Sequence, residues 1–204
     1  PTIQREFSPE FFKMLDQHVN YDVLFFSMNT NCTKFVHNSW SNFIKKLKRV
    51  MIMVSIDGIG PVGEWVRLGL KMDIWEKNAL RWKHLLKDHK QYTYGDLTSG
   101  VCSNFVMTNY NIFNVDDTEK YLTSLDIKMR KTNCFSPKYL SPEYLPDEIK
   151  KELPTDDFIQ NILNTSDYNV DYCRQFIIYT QYLETFQKAP EEALFVYRKL
   201  KEYV

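Results

Sequence analysis

The stretch Val50-Met-Ile-Met-Val-Ser-Ile-Asp-Gly58 decides the fold of this chain. Its first five residues are apolar without polar alternation, which is typical of a strand covered on both faces. Parallel strands in α/β folds present their functional groups at the carboxyl end, where Ser55 and Asp57 stand. An Asp-Gly pair is also an ordinary turn former, and Ser55 could be a small core residue. The surrounding chain has to decide between these interpretations.

The segments on either side of this stretch alternate between helix and strand. Ser8-Pro9 predicts a helix start, with serine as the N-cap and proline in the first turn. Helical spacing of apolar residues predicts further helices, and a second apolar run predicts another buried strand. The predicted order is helix 8–18, strand 22–28, helix 39–48, strand 50–58, a loop at 59–63 that leads into 64–69, and helix 72–89. Such alternation favours a parallel sheet with right-handed crossovers, so the predicted class is α/β.

The second half of the chain predicts two further strands and then a helical tail. Residues 92–100 are expected to form an irregular connection or a distorted strand. Next come a strand at 101–108, a helix at 116–124, a short strand at 127–131, and helices at 146–153, 156–163, 170–186 and 190–203. Prolines within 135–146 fix an extended connection before the tail. The expected division is therefore 1–134 for the strand-containing part and 135–204 for the connection and helices.

The composition gives no support for binding to nucleic acid or to a membrane surface. With 204 residues and 44% hydrophobic content, the chain can form one sizeable domain or part of a larger one. Lys plus Arg equals Asp plus Glu at 26 each, so no overall field favours nucleic acid or a membrane surface. Four cysteines without a C-x-x-C pair, and no signal peptide or long apolar span, predict a reducing, cytoplasmic location.

Polar residues near strand ends are the remaining chemical feature. The sequence has no P-loop, G-x-G-x-x-G or nucleophile elbow, and neither its histidines nor its cysteines have the spacing of metal ligands. No catalytic or metal-binding residue is assigned. Asn31, Ser55, Asp57 and Arg67 are the candidates for binding. Hydroxyl, amide and carboxylate groups suit sugar hydroxyls, and a guanidinium suits a carboxylate or phosphate. This set predicts a site for a small polar cofactor.

Several short motifs resemble a known family. Val54-Ser-Ile-Asp-Gly58, Glu64-Trp-Val-Arg-Leu-Gly69 and Trp75-Glu-Lys-Asn78 resemble the "S-x-D-G … e-y-x-R-x-G … w-x-x-x-x-N" passage of radical S-adenosylmethionine (radical SAM) enzymes, in particular the twitch-domain branch of phages and bacteria. Asn78 lies closer to Trp75 than that pattern asks. The similarity continues in order with Thr30-Asn31, Asn111-Ile112, Pro142-Glu-Tyr-Leu-Pro146 with Lys150, and Asp171-Tyr-Cys-Arg174.

The resemblance implies a fold and a set of residue roles. The fold is the carboxyl-terminal part of a partial (βα)6 TIM-like barrel followed by a helical tail. Ser55 is expected to bind the ribose or carboxylate of S-adenosylmethionine, and Asp57 to orient its loop or the substrate. Arg67 is expected to hold the methionyl carboxylate or the substrate. Asn31 is expected to line the adenosyl side of the barrel mouth.

The resemblance also implies what precedes the chain. Pro1 resembles the proline of the family's G-G-E-P motif, so the C-x-x-x-C-x-x-C loop that holds a [4Fe–4S] cluster is expected upstream of it. The complete enzyme would generate a 5′-deoxyadenosyl radical for hydrogen abstraction from a peptide, protein or other substrate. This chain alone would be inactive. The alternative is a degenerate barrel without a cluster, acting as a binding or scaffolding module.

Overall fold

The structure is a computed structural model that describes residues 9–89, 93–94, 97–98, 100–164 and 168–204. Pro1, the expected G-G-E-P proline, and Ser8, the expected helix cap, lie outside the described residues. Residues 92, 95, 96 and 99 of the predicted irregular connection at 92–100 also lie outside them. Only two short strands of that connection are described, and they pair in antiparallel fashion.

The described residues form helices and strands in the predicted order. The helices are α1 (Pro9–His18), α2 (Asn38–Lys46), α3 (Gly60–Val66), α4 (Met72–Leu86), α5 (Val115–Ser124), α6 (Asp147–Lys150), α7 (Asp157–Leu163), α8 (Val170–Glu184) and α9 (Phe195–Tyr203). The strands are β1 (Phe25–Thr30), β2 (Arg49–Ser55), β3 (Thr93–Tyr94), β4 (Leu97–Thr98), β5 (Gly100–Met107) and β6 (Lys128–Asn133). In the described part of the chain, no helix is long and apolar enough to cross a membrane.

The larger sheet has the strand order β1-β2-β5-β6. β1 and β2 pair in parallel, with Phe25 opposite Arg49 and Thr30 opposite Val54. α2 connects these two strands, as expected for a parallel βαβ crossover. The predicted class is confirmed: the chain is α/β, with βα units as in part of a TIM-like barrel, followed by helices.

The chain divides into two compact units. The first contains residues 1–55 and 73–103, and the second contains residues 56–72 and 104–204. β5 contributes its first half to the first unit and its second half to the second unit. The boundary expected near residue 134 stays a prediction.

The first unit is built around β2. Val50, Met51, Ile52 and Val54 have relative exposures of 2% or less, which confirms the buried strand at the centre of the sequence prediction. On α4, the residues Trp75, Asn78, Ala79, Trp82 and Leu86 are buried at helical spacing. Successive turns of α4 therefore bury the same face of the helix, as the periodicity predicts.

β1 differs from its prediction. The apolar run at 22–28 predicts a strand buried on both faces, but the burial of β1 alternates, and Phe25 is 38% exposed. β1 stands at one end of the strand order, where a strand has a neighbour on one side only among the described strands. The prediction of a second fully buried strand is therefore wrong.

α3 also differs from its prediction, because a loop is expected at 59–63, whereas Gly60–Val66 forms a helix. Pro61 lies in the first turn of α3, where its fixed φ suits the helix and the N–H that it lacks would have no partner within the helix. Gly63 lacks the side chain that would collide with the preceding backbone. Val62 and Trp65 of α3 are both buried, and their packing outweighs the low helix propensity of glycine and proline.

The second unit has one core that includes the helical tail. Trp65 of α3 and Tyr110 after β5 stack edge to face with ring centroids 4.7 Å apart. The Tyr110 hydroxyl lies 2.9 Å from the Thr180 hydroxyl on α8, and Phe176 of the same helix is fully buried. Trp65 Nε1 also donates to the carbonyl of Gln187 at 3.2 Å. The tail therefore stabilises the segment that carries Arg67.

Candidate functional site

Asp57 lies immediately after β2 and is nearly buried, with 9% of its surface exposed. Its Oδ1 accepts a hydrogen bond from the backbone N–H of Val106 at 3.0 Å, and its Oδ2 accepts one from Arg67 Nε at 2.6 Å. Both carboxylate oxygens therefore have protein donors. The carboxylate joins the loop after β2 to β5 and fixes the position of Arg67.

Arg67 follows the last residue of α3, and its side chain is 28% exposed. Its Nε is held by Asp57, whereas its two Nη nitrogens have no hydrogen-bond partner among the described residues. A guanidinium presents its donors in a planar fork that matches a carboxylate or phosphate. The arrangement is therefore an arginine that is oriented through one nitrogen and has its other nitrogens available.

Asn111 fixes the backbone at Asp57. Its side chain is fully buried, and Nδ2 donates to the carbonyls of Asp57 at 2.8 Å and of Val106 at 2.9 Å. Its Oδ1 accepts from the backbone N–H of Thr108 at 2.7 Å. One amide thus satisfies three backbone groups that would otherwise be buried without partners.

Asn114 fixes the next residues of the same loop. Its Oδ1 accepts from the backbone N–H of Ile59 at 2.7 Å and from the Thr118 hydroxyl at 3.0 Å. The intervening Gly58 has a φ of +144°, which side-chain-bearing residues rarely adopt. The loop between β2 and α3 is therefore held by two asparagines from the segment after β5.

Gly63 permits a close backbone approach within this loop. A Cβ at Gly63 would lie 2.1 Å from the carbonyl oxygen of Gly58, so no side chain fits there. The N–H of Gly63 donates to the carbonyl of Ile59 at 3.2 Å. The first turn of α3 therefore packs directly on the loop that follows Asp57.

Ser55 and Asn31, the other two predicted site residues, belong to the first unit. The Ser55 carbonyl accepts from Trp75 Nε1 at 3.0 Å, and its hydroxyl has no partner among the described residues. Asn31 is exposed, and its Oδ1 accepts from the backbone N–H of Thr33 at 3.3 Å and from the Thr33 hydroxyl at 2.9 Å. The structure thus pairs Asp57 with Arg67, and it places each of the other two at the end of a strand.

Asn78 has a structural contact in the first unit. Its Nδ2 donates to the carbonyl of Cys32 at 2.7 Å, and Cys32 has a positive φ of 54°. α4 is thereby attached to the turn after β1 by Asn78 and to the end of β2 by Trp75. Trp75 and Asn78, which belong to the motif Trp75-Glu-Lys-Asn78, therefore each fix the end of a strand.

The cysteines do not form a metal site in the described residues. All four are buried and free, and no group of three potential ligands is found in the described part of the chain. Burial raises the pKa of Cys32 to about 12 and that of Cys173 to about 11. Burial also raises the pKa of Cys134, and the charge of Asp57 raises it further. Burial therefore keeps these three thiols protonated at neutral pH.

The site in the second unit can bind an anionic group but has no evident acid–base pair. Asp57 is engaged on both oxygens, and Arg67 remains charged. Sequence reasoning singled out both residues but assigned no role to Asn111 and did not select Asn114. Asn111 lies in the motif Asn111-Ile112, and that motif is the sequence signal that could have identified it as a site residue. Asn114 has no comparable sequence pattern.

Comparisons with known proteins give matches among solved structures alone. No family model matches the chain, and no curated protein matches it significantly. A structure of anSMEcpe with bound AdoMet is 22% identical, with a TM-score of 0.47 over 84% of this chain and 46% of that chain. A structure of anSMEcpe with bound AdoMet and the Cp18Cys peptide is 20% identical, with a TM-score of 0.47 over 90% of this chain and 50% of that chain.

A third similar structure is SuiB of Streptococcus suis bound to the precursor peptide SuiA. It is 14% identical, with a TM-score of 0.40 over 85% of this chain and 34% of that chain. This chain therefore spans half or less of the length of the three structures. At these identities and TM-scores, the matches do not assign the chain to a family.

Proposed function

We propose that this chain is the S-adenosylmethionine-binding part of a radical SAM enzyme. Support comes from the ordered motifs between Thr30 and Arg174 and from the geometry around Arg67. The observation that carries the proposal is the guanidinium of Arg67, which Asp57 orients through Nε at 2.6 Å while both Nη nitrogens have no hydrogen-bond partner among the described residues. Such a group binds a carboxylate through two parallel hydrogen bonds. The methionyl end of S-adenosylmethionine provides that carboxylate.

In the second unit, Arg67 is proposed to hold the methionyl carboxylate, and Asp57 to keep Arg67 and the loop in place. Ser55 and Asn31 belong to the first unit and keep the roles that the resemblance implies, which are binding of the ribose or carboxylate for Ser55 and lining of the adenosyl side of the barrel mouth for Asn31. S-adenosylmethionine supplies the chemistry of such enzymes, which is hydrogen abstraction from a peptide, a protein or a small molecule. The proposal does not choose among a peptide, a protein and a small molecule as the substrate.

The cysteines of this chain are not assigned to the [4Fe–4S] cluster. Their thiols are buried, and the described residues contain no group of three potential metal ligands. The cluster ligands are therefore proposed to come from a C-x-x-x-C-x-x-C loop encoded upstream of Pro1. Reading the coding sequence upstream of Pro1 tests this part. Finding that loop followed by Gly-Gly-Glu supports the enzyme, whereas a start codon directly before Pro1 contradicts it.

Ligand binding tests the role of Arg67. Isothermal titration calorimetry would compare S-adenosylmethionine with 5′-methylthioadenosine, which lacks the amino-acid part and its carboxylate. Arg67→Gln removes the charge-assisted hydrogen bonds, so it should weaken S-adenosylmethionine binding by about 1.5 to 3 kcal/mol, or roughly ten- to 150-fold. Binding of 5′-methylthioadenosine should change by less than about twofold, because it has no group for Arg67 to hold.

Arg198→Gln is the matched control. Arg198 is also an arginine that is ion-paired to a carboxylate, Glu191, but on the surface of another part of the second unit. It should leave the affinity for both ligands unchanged. Equal weakening of both ligands by Arg67→Gln, or no measurable binding of S-adenosylmethionine to the wild-type protein, would rule out the assigned role.

The second candidate function is a binding or scaffolding module without a cluster. The observation that favours it is an exposed apolar face at the end of α8, where Ile178 is 65%, Tyr182 is 57% and Phe186 is 68% exposed. Exposed apolar side chains grouped in this way are typical of contacts with another protein. This candidate predicts that the wild-type protein binds neither adenosyl ligand, so the same calorimetry distinguishes the two functions.

A further inference from the structure

The first unit has an open groove of about 1130 Å³ between α2 and α4. We call it the basic groove, and it is lined from α2 by Asn38, Ser41 and Lys45 and from α4 by Lys77, Arg81 and His84. Both sets recur every three or four residues, so each helix presents one continuous face to the groove. On α4 this face is separate from the buried face that carries Trp75 and Trp82.

The lining of the groove has an excess of positive charge. Six described lining residues are lysine or arginine, whereas Asp88 is the one described carboxylate among them. Two of the lysines are already paired, because Lys46 lies 2.5 Å from Asp16 and Lys48 lies 2.6 Å from Asp22. The side chains of Lys45, Lys77 and Lys87 are exposed and have no ion-pair partner in the described part of the chain.

The floor of the groove is partly apolar. Leu80 is 40% exposed, and Phe35 and Leu85 are half-buried. The guanidinium of Arg81 lies 4.0 Å above the ring centroid of Phe35. The other described contact of that ring is Trp82, with centroids 4.7 Å apart. The groove therefore offers exposed aliphatic surface bordered by cations, and its aromatic ring is already in contact with two neighbours.

We infer that the basic groove docks an acidic peptide segment of a partner protein, with carboxylates facing the lysines and one or two aliphatic side chains on Leu80 and Leu85. Charge complementarity favours an anionic occupant, since carboxylates would neutralise the lysines that have no ion-pair partner in the described part of the chain. Single-stranded nucleic acid needs aromatic rings available for stacking, and Phe35 is occupied. The α4 face from Lys77 to Leu85 extends for about 12 Å, which suits a short peptide.

This inference concerns a surface of the first unit and does not rest on the proposed function. Fluorescence anisotropy with the full-length protein tests it, using a fluorescein-labelled peptide of about twelve residues, a length that covers this helix face. The peptide alternates glutamate and aspartate with two leucines. A peptide with glutamine and asparagine in place of the acids is the uncharged probe, and a labelled oligodeoxynucleotide of similar length is the nucleic-acid probe.

The acidic peptide should bind at low ionic strength at least about tenfold more tightly than the uncharged peptide, and salt should weaken it. The triple variant Lys45→Glu/Lys77→Glu/Lys87→Glu should reduce the affinity by about tenfold or more, because three attractive contacts become repulsive. Lys120→Glu/Lys128→Glu/Lys188→Glu changes the same net charge at exposed sites in the second unit. That control should change the affinity by less than about twofold.

Leu80→Ala gives a second variant that does not alter charge. It should weaken the acidic peptide about two- to tenfold by removing aliphatic contact area. Three results would overturn the inference: no binding of the acidic peptide, equal losses in the two triple variants, or tighter binding of the oligodeoxynucleotide with the same dependence on the groove lysines. The last result would assign the groove to nucleic acid.

Discussion

The substitution Asn111→Asp tests how the candidate site is held together. Asparagine and aspartate have nearly the same size and shape, so the change introduces no cavity. It replaces the Nδ2 donor by an oxygen that faces the carbonyls of Asp57 at 2.8 Å and Val106 at 2.9 Å. Two hydrogen bonds become contacts between acceptors at a position that is fully buried.

The expected loss of stability follows from these contacts. Each hydrogen bond contributes about 1 kcal/mol net, and each buried carbonyl left without a donor costs about 1 to 3 kcal/mol. The introduced carboxylate also loses hydration and meets two partial negative charges. The free energy of unfolding should therefore fall by about 4 kcal/mol or more at neutral pH. This is a large part of the stability of an ordinary domain.

Chemical unfolding monitored by far-UV circular dichroism measures this loss. Asn161→Asp is the control, because Asn161 is exposed on α7, and its change should stay within about 0.5 kcal/mol. The pH dependence provides an independent check. The buried surroundings raise the pKa of the introduced carboxyl, so the folded state holds its proton more strongly than the unfolded state. The deficit relative to wild type should therefore shrink as the pH falls towards that pKa.

A midpoint for Asn111→Asp equal to that of Asn161→Asp would refute the assignment of Asn111 as the residue that fixes the loop. A deficit that grows at low pH would also contradict the reasoning, since protonation restores one donor.

Two further predictions concern steric fit and burial. Gly63→Ala should destabilise the protein by about 3 kcal/mol or more, because its Cβ would lie 2.1 Å from the Gly58 carbonyl oxygen. Gly69→Ala, at a positive φ with open space around it, should cost only about 1 kcal/mol in the same unfolding assay. Burial raises the pKa of Cys32 to about 12, so the unfolded thiol deprotonates first and stability should fall as the pH rises above about 9. By about pH 10, Cys32→Ser should lose about 1 to 2 kcal/mol less than wild type between neutral and alkaline pH, measured from urea midpoints. An equal alkaline loss in both proteins would contradict this contribution of Cys32.

The order of the helices and strands could be predicted because each element buries one face or both. The run at 50–54 is apolar throughout, and β2 is buried accordingly. The apolar residues of α4 recur at helical spacing and form its buried face. In these elements the local pattern and the tertiary packing agree, which makes the prediction possible.

The exposure of β1 could not be predicted from its residues. The predicted run at 22–28 is mostly apolar, but the place of β1 in the strand order leaves Phe25 within that run exposed. Strand order is a property of the whole topology, and it is not encoded in the six residues of the strand. Residues 60–66 present the opposite case, because glycine and proline suggest a loop while close packing on Gly58 favours a helix.

The pairing of Asp57 with Arg67 joins two neighbouring motifs of the sequence, Val54–Gly58 and Glu64–Gly69. Ten positions apart, they meet because α3 turns the chain back after the loop, and that return requires glycine at position 63. Asn111 and Asn114 then attach the same loop to the segment after β5. Since both oxygens of Asp57 are occupied by protein donors, its geometry favours the loop-orienting role over direct contact with a substrate. Arg67 is then the member of the pair with donors still available for a ligand.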